Sequence, residues 1–353
     1  MAYHRLDLMI AMSQDKEPMK VLLVSNEFTR PGRIGNPILC RLQKALQRCD
    51  KIDSVDFVPF RNSLTSFWKI RSAAKKVDII HIQFGGMYAF LVWFCLIGIF
   101  KPKLLTFHGT DIHAKEIRTT KSFLTKLKIW LNQKASFCSF FMFDKLGFVS
   151  DTLLNYVPNW IKSLCGKKLF LQPLGVDYDL FQPMDKDEAC KKLGIERKKY
   201  VLFSDKSNTT LKRRDIATNI VSELKMGYDL LLMCGVSPDL VPVYINASDF
   251  VLLTSDEEGS PNIVREALSL NKRVFSVDVG DVKQQISGLN NSSIISRIPE
   301  EAVDTIKKKL SNPYVDNTRE TLQNKIDFNK IANSLVSVYT ESLTSNVKLN
   351  GPQ

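Results

Sequence analysis

Short apolar segments alternate with longer helical patterns along the first half of the chain. From Lys20 onward, runs rich in Val, Ile, Leu and Phe recur at regular intervals. The predicted strands are KVLLVSNEF, VDFVPF, DIIHIQF, KLLTFHG, LGFVSD and KLFLQP. Nearly every position in them is apolar, which is typical of parallel strands that helices cover on both faces. The pattern therefore predicts repeated βαβ units that form one Rossmann-like domain at residues 19–172.

A second series of the same kind follows. Its predicted strands are YVLFSD, YDLLLMCG, DFVLLTS and RVFSVDVG, and amphipathic helical patterns separate them. They indicate a second Rossmann-like domain at residues 173–325. Between the two series, PLGVDYDLFQP has two prolines and one glycine, which is typical of a linker. The remaining segment, 326–353, predicts a closing helix with an apolar stripe at Phe328, Ile331, Leu335, Val338 and Tyr339.

Two segments of the first domain are unusually apolar. Tyr88 to Phe100 is a run of thirteen apolar residues, too short to cross a bilayer that needs about 20, so a buried helix is predicted. The segment from Lys121 to Phe143 mixes four lysines with leucines and aromatic residues. Such a helix can lie on a membrane surface, or it can pack its apolar face on the sheet with its lysines in water. Both interpretations stay open at this point.

Charge is distributed unevenly between the two halves of the chain. The 353 residues carry a formal net charge of +12. Residues 1–175 hold 26 Lys and Arg against 12 Asp and Glu, whereas residues 176–353 hold 23 against 25. A one-sided basic domain can serve nucleic acid or an anionic membrane surface. The excess of positive charge is therefore confined to the first half of the chain, and it bears only on what the first domain binds.

Composition describes an ordinary globular protein, with 44% apolar residues. The seven cysteines form no C-x-x-C pair and no zinc-like spacing, so we expect reduced thiols and a cytoplasmic protein. Residues 1–18 are too polar and too acidic for a signal peptide, and we expect a loosely ordered N-terminal extension there.

The stretch from Ser255 to Glu266 carries the clearest chemistry. A predicted strand ends at Ser255, a loop of acidic and small residues follows, and Ser260-Pro261 is predicted to open a helix as N-cap and first residue. Ligands bind at the carboxyl ends of parallel strands, and a helix N-terminus offers free N–H groups to an anion such as a diphosphate. Glu258 and Glu266 can then face one cleft. A carboxylate that accepts from two adjacent hydroxyls suits a ribose.

These residues also carry a resemblance to a known family. The string NASDFVLLTSDEEGSPNIVREAL, together with PLGVDYDLFQP, HGTD and GDV, resembles the retaining glycosyltransferases of family 4. The resemblance extends from Lys20 to about Leu343. It implies the GT-B architecture: two Rossmann-like domains with parallel sheets that face a central cleft, and a C-terminal helix that closes back toward the N-terminal domain.

The resemblance implies roles for residues of the second domain, which would bind the nucleotide-sugar donor. Glu266 would hold the ribose hydroxyls of the nucleotide. The donor sugar would be held by Glu258, Gly259, Ser260, Pro261 and Asn262. Lys212 falls where the family places a lysine on the diphosphate, with Arg213 beside it, and Lys206 is the nearest candidate for a companion cation. Such cations stabilise the charge that grows on the leaving phosphate and can substitute for a metal.

The resemblance also implies roles in the first half. His108 would lie near the donor sugar and the reacting carbon, with Asp111 in support. His108 and His113, five apart with Asp111 between them, could also suggest a metal site, which is disfavoured because no third well-spaced ligand appears. The turn SNEFTRPGRIGN contains Gly35 near the expected donor phosphate, but Asn36 replaces a common second glycine. The D-x-D formed by Asp177 and Asp179 belongs to the linker and is interpreted as structural.

Together these features predict a retaining, metal-independent glycosyltransferase without a cofactor. It would move a sugar from a UDP- or GDP-sugar to a glycan or lipid-linked acceptor in bacterial surface polysaccharide or lipopolysaccharide biosynthesis. A position on the inner face of the cytoplasmic membrane follows from the basic half, and no nucleic acid partner is expected. An epimerase or a phosphorylase is disfavoured by the EGSPN frame. The alternative from another class is a non-catalytic protein of the same fold that binds nucleotide-sugar or nucleic acid.

Overall fold

The structure is a computed structural model that describes residues 17–25, 37–61, 63–109, 111–112, 122–205, 210–313 and 318–350. The expected N-terminal extension, residues 1–18, lies outside the described residues except for its last two positions.

Six parallel strands form the first sheet. They are β1 Met19–Ser25, β2 Ile52–Pro59, β3 Ile79–Gln83, β4 Lys103–Phe107, β5 Lys145–Phe148 and β6 Leu169–Leu171. Their order is β2-β1-β3-β4-β5-β6, and every pair of neighbours is parallel. All six coincide with apolar runs of the sequence, so the prediction of a parallel sheet is confirmed.

Five parallel strands form the second sheet. They are β7 Lys199–Ser204, β8 Tyr228–Met233, β9 Phe250–Leu253, β10 Arg273–Ser276 and β11 Ser293–Ile294. Their order is β11-β10-β9-β7-β8, again with every pair parallel. The first four are the predicted strands. The two-residue edge strand β11 was not predicted, because two residues are too few to show a periodic pattern. The exact domain limits stay predictions.

Helices connect the strands of both sheets. Among the described residues they are α1 Pro37–Gln47, α2 Leu64–Ala74, α3 Met87–Cys95, α4 Phe123–Met142, α5 Asn159–Cys165, α6 Lys186–Leu193, α7 Arg214–Leu224, α8 Val241–Ala247, α9 Asn262–Ser269, α10 Val282–Gln285, α11 Pro299–Leu310, α12 Thr318–Ile326 and α13 Phe328–Asn350. A strand and a helix alternate through most of the chain, which is the expected α/β pattern.

The last helix, α13, returns to the first sheet. Phe328, Leu335 and Tyr339 are buried in one core cluster with residues of β1, β2 and α1. Tyr339 has no exposed surface at all. The predicted stripe is therefore the buried face of this helix, and the prediction of a helix that closes back on the first half is confirmed.

Both sheets have a point at which the strand order reverses, between β1 and β3 in the first and between β7 and β9 in the second. Ligands of open α/β sheets bind outside the carboxyl ends of the strands at such a point. The loops after β7 and β9 contain Lys212 and Glu258. Gly259 in the second loop lies so close to the end of β4 that a Cβ there would be 2.7 Å from the carbonyl oxygen of His108. The carboxyl edges of the two sheets thus face each other.

The prediction of a fully buried helix at residues 88–100 is wrong in part. Tyr88 and Val92 of α3 are buried, but Phe94 is 49% exposed, and Phe100, beyond the helix, is 81% exposed. A helix buries one face against a sheet, whereas this sequence is apolar all round. In the described part of the chain, no helix is both long enough and apolar enough to cross a membrane.

Candidate functional site

A cavity of about 260 Å³ lies between the two sheets. Residues of the first half, Ile38 and Arg41, line it from one side. The second half contributes the predicted donor-site residues Lys212, Glu258, Ser260, Pro261, Asn262 and Glu266. The structure therefore brings most of the predicted site together in one place.

Glu258 lies in the loop after β9 and is held by two groups. Its Oε1 accepts a hydrogen bond from the Ser255 hydroxyl at 2.8 Å and from Lys212 Nζ at 2.5 Å. Both charged side chains are mostly buried, with 16% and 22% of their surface exposed. Charge-assisted bonds in such surroundings fix the geometry of both groups. The lysine and the carboxylate therefore form one preorganised unit at the cavity wall.

The helix that follows this loop begins one residue later than predicted. Helix α9 starts at Asn262, and Pro261 rather than Ser260 occupies the N-cap position. Ser260 does not cap the helix. Its hydroxyl donates to Asp281 Oδ2 at 2.6 Å and accepts from Arg265 Nη1 at 2.7 Å. The N–H groups at the start of α9 consequently lack a side-chain cap, which suits an anion-binding end.

Arg265 and Asp281 hold the start of this helix in place, and neither was among the predicted site residues. Arg265 is 5% exposed, and its guanidinium also donates to the Ser260 carbonyl and to Asn262 Oδ1. Burial lowers the pKa of Arg265 from its usual value, while the nearby charge of Asp281 opposes that shift. Arg265 stands between Val264 and Glu266 in a helix of mixed composition, so the local pattern gave no sign that its side chain is buried.

Glu266 lies deeper along the same helix and meets Arg41 of α1. The distance from Arg41 Nη1 to Glu266 Oε1 is 3.2 Å, and the side chains are only 10% and 14% exposed. Arg41 Cζ also lies 5.0 Å from the centre of the Phe181 ring. No described residue donates to the second oxygen, Oε2. One carboxylate oxygen thus joins the two halves, and the other faces the pocket residues as an acceptor.

Two glycines let backbones approach closely at this site. A Cβ at Gly259 would meet the His108 carbonyl oxygen at 2.7 Å. Gly280 has a φ of +58°, and a Cβ there would lie 2.6 Å from the Gly259 carbonyl oxygen. Since side chains at either position would collide with backbone, the loop after β9 fits between β4 and the turn before α10 only because both residues are glycine.

The basic residues after β7 separate into two groups. Lys212 lines the cavity as predicted. Arg213 adopts the left-handed backbone conformation, and its guanidinium binds Asp215 at 2.8 Å and Asp256 at 3.4 Å. These two carboxylates turn Arg213 away from the cavity, so the structure does not bring it to the predicted donor site. Lys206 lies outside the described residues, as does Gly35 in the turn after β1.

His108 follows β4, where its carbonyl oxygen comes close to Gly259, and its side chain is not among those that line the cavity. The Asp111 carboxylate accepts hydrogen bonds from the backbone N–H groups of Gly85, His108 and Gly109 at 2.7 to 3.1 Å. Burial raises the pKa of Asp111, and these N–H groups act in the opposite direction. Asp111 therefore supports the backbone turn that presents His108. The imidazole itself stacks on Phe84, with ring centres 4.0 Å apart.

A chain of buried polar side chains continues from His108 into the first sheet. His108 Nε2 lies 2.9 Å from Gln83 Oε1, and Gln83 Nε2 lies 3.1 Å from His81 Nε2. The other nitrogen of His81, Nδ1, lies 2.7 Å from the hydroxyl of Tyr339 on α13. Burial lowers the pKa of both histidines to about 3. Both imidazoles are therefore neutral at neutral pH.

This chain was not predicted, although the sequence contained a signal for it. His81 and Gln83 are two residues apart in a strand whose other positions are apolar, so both side chains point to the same face. Polar groups on a buried face need hydrogen-bond partners.

The other residues considered as metal ligands are His113, Asp177 and Asp179. In the parts of the chain that are described, no three His, Cys, Asp or Glu side chains are grouped as metal ligands. His113 lies outside the described residues. Asp177 accepts from the Leu180 N–H, and Asp179 pairs with Arg48 at 3.3 Å. The D-x-D motif thus holds the linker, in agreement with its structural interpretation.

Comparisons with known proteins show the architecture of the chain. No protein-family profile matches it, and no curated protein matches it significantly. Among solved structures, sucrose-phosphate synthase from Thermosynechococcus elongatus is similar with a TM-score of 0.70 at 16% identity, over 93% of this chain and 100% of that one. Anabaena HepE in complex with UDP-glucose gives 0.68 at 14% identity, over 92% and 100%.

The catalytic domain of Starch Synthase IV from Arabidopsis thaliana, bound to ADP and acarbose, gives a TM-score of 0.64 at 12% identity, over 93% of this chain and 100% of that one. At such identities a likeness shows the fold alone. The two parallel sheets, the facing carboxyl edges and the returning helix α13 together have the GT-B architecture that the sequence predicted.

Proposed function

We propose that the protein is a glycosyltransferase that moves a sugar from a nucleotide-sugar to a glycan or lipid-linked acceptor. The observation that supports this most is the shared cavity, where Lys212, Glu258, the start of α9 and Glu266 converge opposite the His108 turn. Each of these groups matches one part of a nucleotide-sugar.

Glu266 is the ribose ligand in this proposal. Its Oε2 accepts hydrogen bonds from the ribose hydroxyl groups, while Arg41 holds Oε1 in place. The uncapped N–H groups at Asn262 and the Lys212 ammonium receive the diphosphate, because both supply positive charge at the cavity wall. Glu258, with Gly259, Ser260, Pro261 and Asn262, holds the sugar.

Charge on the leaving phosphate grows as the glycosidic bond breaks. Lys212 and the helix start then stabilise the transition state more than the ground state, and one such donor is worth about 3 kcal/mol. We propose on this basis a transfer that needs no metal and no cofactor, with retention of configuration as in family 4. His108 is neutral and acts by positioning a sugar hydroxyl rather than as a cation.

The similar structures support a nucleoside diphosphate as the carrier. HepE was solved with UDP-glucose, and Starch Synthase IV with ADP. For this chain we propose a UDP- or GDP-sugar donor and a role in bacterial surface polysaccharide or lipopolysaccharide biosynthesis. The acceptor would be presented at the inner face of the cytoplasmic membrane, which the basic first half fits.

A panel of nucleotide-sugars tests the proposal. We expect one UDP- or GDP-sugar to stabilise the protein against thermal unfolding. We also expect the nucleoside diphosphate to be released during turnover. Glu266→Ala should weaken donor binding about tenfold or more, because the ribose hydroxyls lose a charged acceptor. Lys212→Ala should lower kcat about a hundredfold with a smaller effect on binding.

Lys307→Ala on α11, an exposed lysine outside the cavity, is the matched control and should change neither quantity. The scheme would be falsified if both pocket variants kept full activity. Stabilisation by a nucleotide-sugar without turnover under any acceptor would favour the non-catalytic binding protein instead, and binding of RNA or DNA would favour a nucleic-acid module.

A further inference from the structure

Exposed apolar side chains are concentrated in one part of the molecule. Among the described residues, eighteen large apolar side chains are exposed, and all but Met226, Leu240 and Ile298 lie between residues 64 and 171. Scattered apolar residues on a surface are ordinary, but a contiguous patch marks an interaction site. The first half therefore carries a surface that the second half lacks.

Helix α4 presents the longest part of this surface. Phe123, Leu127, Trp130 and Phe141 are 75%, 40%, 47% and 53% exposed. Their spacing of four, three and eleven residues places them along one side of the helix. From Phe123 to Phe141 the side is about 27 Å long, at a rise of about 1.5 Å per residue. In the C-terminal half of α4 the opposite side is buried at Ala135, Ser136, Ser139 and Phe140, whereas no residue from Phe123 to Leu131 is buried.

The neighbouring helix α5 extends the stripe. Phe141 stacks on Trp160 with ring centres 6.1 Å apart, and Trp160 is 59% exposed. Leu164, one turn further along α5, is 72% exposed. We call the six side chains of α4 and α5 the aromatic face: Phe123, Leu127, Trp130, Phe141, Trp160 and Leu164.

The charged side chains within the helices of this region have a single sign, while Asp144 and Asp151 lie in the segment between α4 and α5. Helices α4 and α5 contain no Asp or Glu, and neither do α2 and α3 beside them. Lys126, Lys128 and Lys134 of α4 are exposed. Lys134 Nζ lies 5.5 Å from the centre of the Trp130 ring, so cation and ring alternate on the same surface. Tryptophan and lysine together are typical of the interface of an anionic bilayer.

We propose that the aromatic face docks on an anionic lipid bilayer, with α4 lying in the plane of the interface. The aromatic rings enter the boundary between headgroups and acyl chains, and the lysines meet the lipid phosphates. A second copy of this chain fits the face poorly, because two such faces would bring lysines of the same sign together. The absence of carboxylates from all four helices likewise suits a negative surface.

The same helix connects the docked face to the candidate site. On its inner side, the Ser136 hydroxyl donates to the Asp111 carbonyl, and Gln133 Nε2 donates to the Ile112 carbonyl at 3.3 Å. Asp111 in turn holds the His108 turn. One helix diameter, about 10 Å, thus separates the lipid surface from the loop beside the cleft. If the proposed transfer is correct, an acceptor with a lipid anchor reaches the cleft from this side.

Vesicle sedimentation at low salt tests the docking. The full chain should bind vesicles that contain phosphatidylglycerol at least tenfold more tightly than vesicles of phosphatidylcholine alone, and salt should weaken the binding. Tryptophan emission should shift to shorter wavelength on binding, since three of the four tryptophans are exposed. Equal binding to both vesicle types, or to neither, would overturn the proposal.

Paired variants locate the surface. Lys126→Glu/Lys128→Glu should weaken vesicle binding at least tenfold, whereas Lys307→Glu/Lys308→Glu on α11 makes the same change in net charge and should not. Leu127→Ser/Trp130→Ser should also release the protein from vesicles, and Ile298→Ser, at an exposed apolar residue of the second half, should not. If the controls release the protein as the variants do, binding is not specific to this face.

Donor-induced thermal stabilisation of the same variants separates the two proposals. It should stay unchanged when vesicle binding is lost, which also shows that the variants fold. A protein that docks on vesicles but is stabilised by no nucleotide-sugar would keep this inference and refute the proposed function. Self-association of the native chain through the aromatic face, without vesicle binding, would assign the face to a second copy and overturn the docking proposal.

Discussion

The position of one proton on His108 is determined by residues that never touch the cavity. Gln83 Oε1 accepts from His108 Nε2, so that nitrogen carries the proton. The Gln83 amide nitrogen lies 3.1 Å from His81 Nε2, which also lies 2.8 Å from the Thr106 hydroxyl, and His81 Nδ1 lies 2.7 Å from the Tyr339 hydroxyl. No described residue binds His108 Nδ1, which is left as an acceptor. Gln83 is therefore a positioning residue for a neutral histidine.

Gln83→Leu should abolish the single tautomer of His108. Loss of one buried hydrogen bond is worth about 1 kcal/mol or slightly more, so kcat should fall roughly tenfold with little change in the KM for the donor. Nitrogen-15 NMR of the imidazole should show only the Nε2–H tautomer in the native protein and a mixture in the variant.

Gln43→Leu is the control, because Gln43 binds the Val55 carbonyl, outside this chain of side chains. A variant that loses kcat while His108 keeps its single tautomer would show that Gln83 has only a structural role.

Residue roles differ in how far the sequence reveals them. Glu258, Lys212 and Glu266 could be placed because strand ends and helix starts are visible as local patterns. Arg41 could not, since its contact with Glu266 joins residues 225 positions apart. A role for Arg213 in donor binding stays a prediction, because sequence position does not tell which way a side chain points and in this structure its guanidinium pairs with Asp215 and Asp256.

Among the secondary-structure elements, the loop between β9 and α9 has the tightest fit. Gly259→Ala would put a methyl group 2.7 Å from the His108 carbonyl oxygen, closer than real Cβ atoms come. The backbone of one element must shift, at a cost of about 1–3 kcal/mol. Because the loop holds Glu258 and the turn holds His108, kcat/KM should fall more than tenfold.

Gly166→Ala is the matched control for that variant. Gly166 has an ordinary helical φ, and a Cβ there meets nothing within 4 Å. Steady-state kinetics and thermal unfolding of both variants provide the comparison. If Gly259→Ala retained native kcat/KM, the close approach of the two edges would have no part in catalysis.

Elements were predictable where their burial is uniform. Ten strands appear as apolar runs, and the pattern is clearest for β1, β3, β4, β9 and β10, which are buried at nearly every position. The exposed side of α4 was the point at which the pattern left two interpretations open. A helix that is apolar on both sides packs one on the sheet, and only the structure shows that the other side is exposed.

Across the whole molecule, two parts of the chain join the halves. Helix α13 follows the second sheet in sequence but packs on β1 and α1, and its apolar stripe predicted that it would be buried. Helix α1 and the turn that follows it make two bridges in the other direction, from Arg41 to Glu266 and from Arg48 to Asp179. The bridges differ in burial, and burial decides how much an ion pair contributes.

Arg41→Ala and Arg48→Ala therefore separate a buried bridge from an exposed one. Arg41 and Glu266 are 10% and 14% exposed, so removing the arginine leaves a mostly buried carboxylate without its partner at the cavity wall and should cost about 1–3 kcal/mol. We expect the thermal unfolding midpoint to fall by about 2–4 °C. Arg48 and Asp179 are 61% and 76% exposed, and Arg48→Ala should leave the midpoint unchanged. Adding Glu266→Ala to Arg41→Ala should recover part of the loss, because no unpaired charge then remains between the halves. The midpoints are measured by calorimetry at one pH. Equal shifts of the midpoint for the two arginine variants would show that the contact between Arg41 and Glu266 does not hold the halves together.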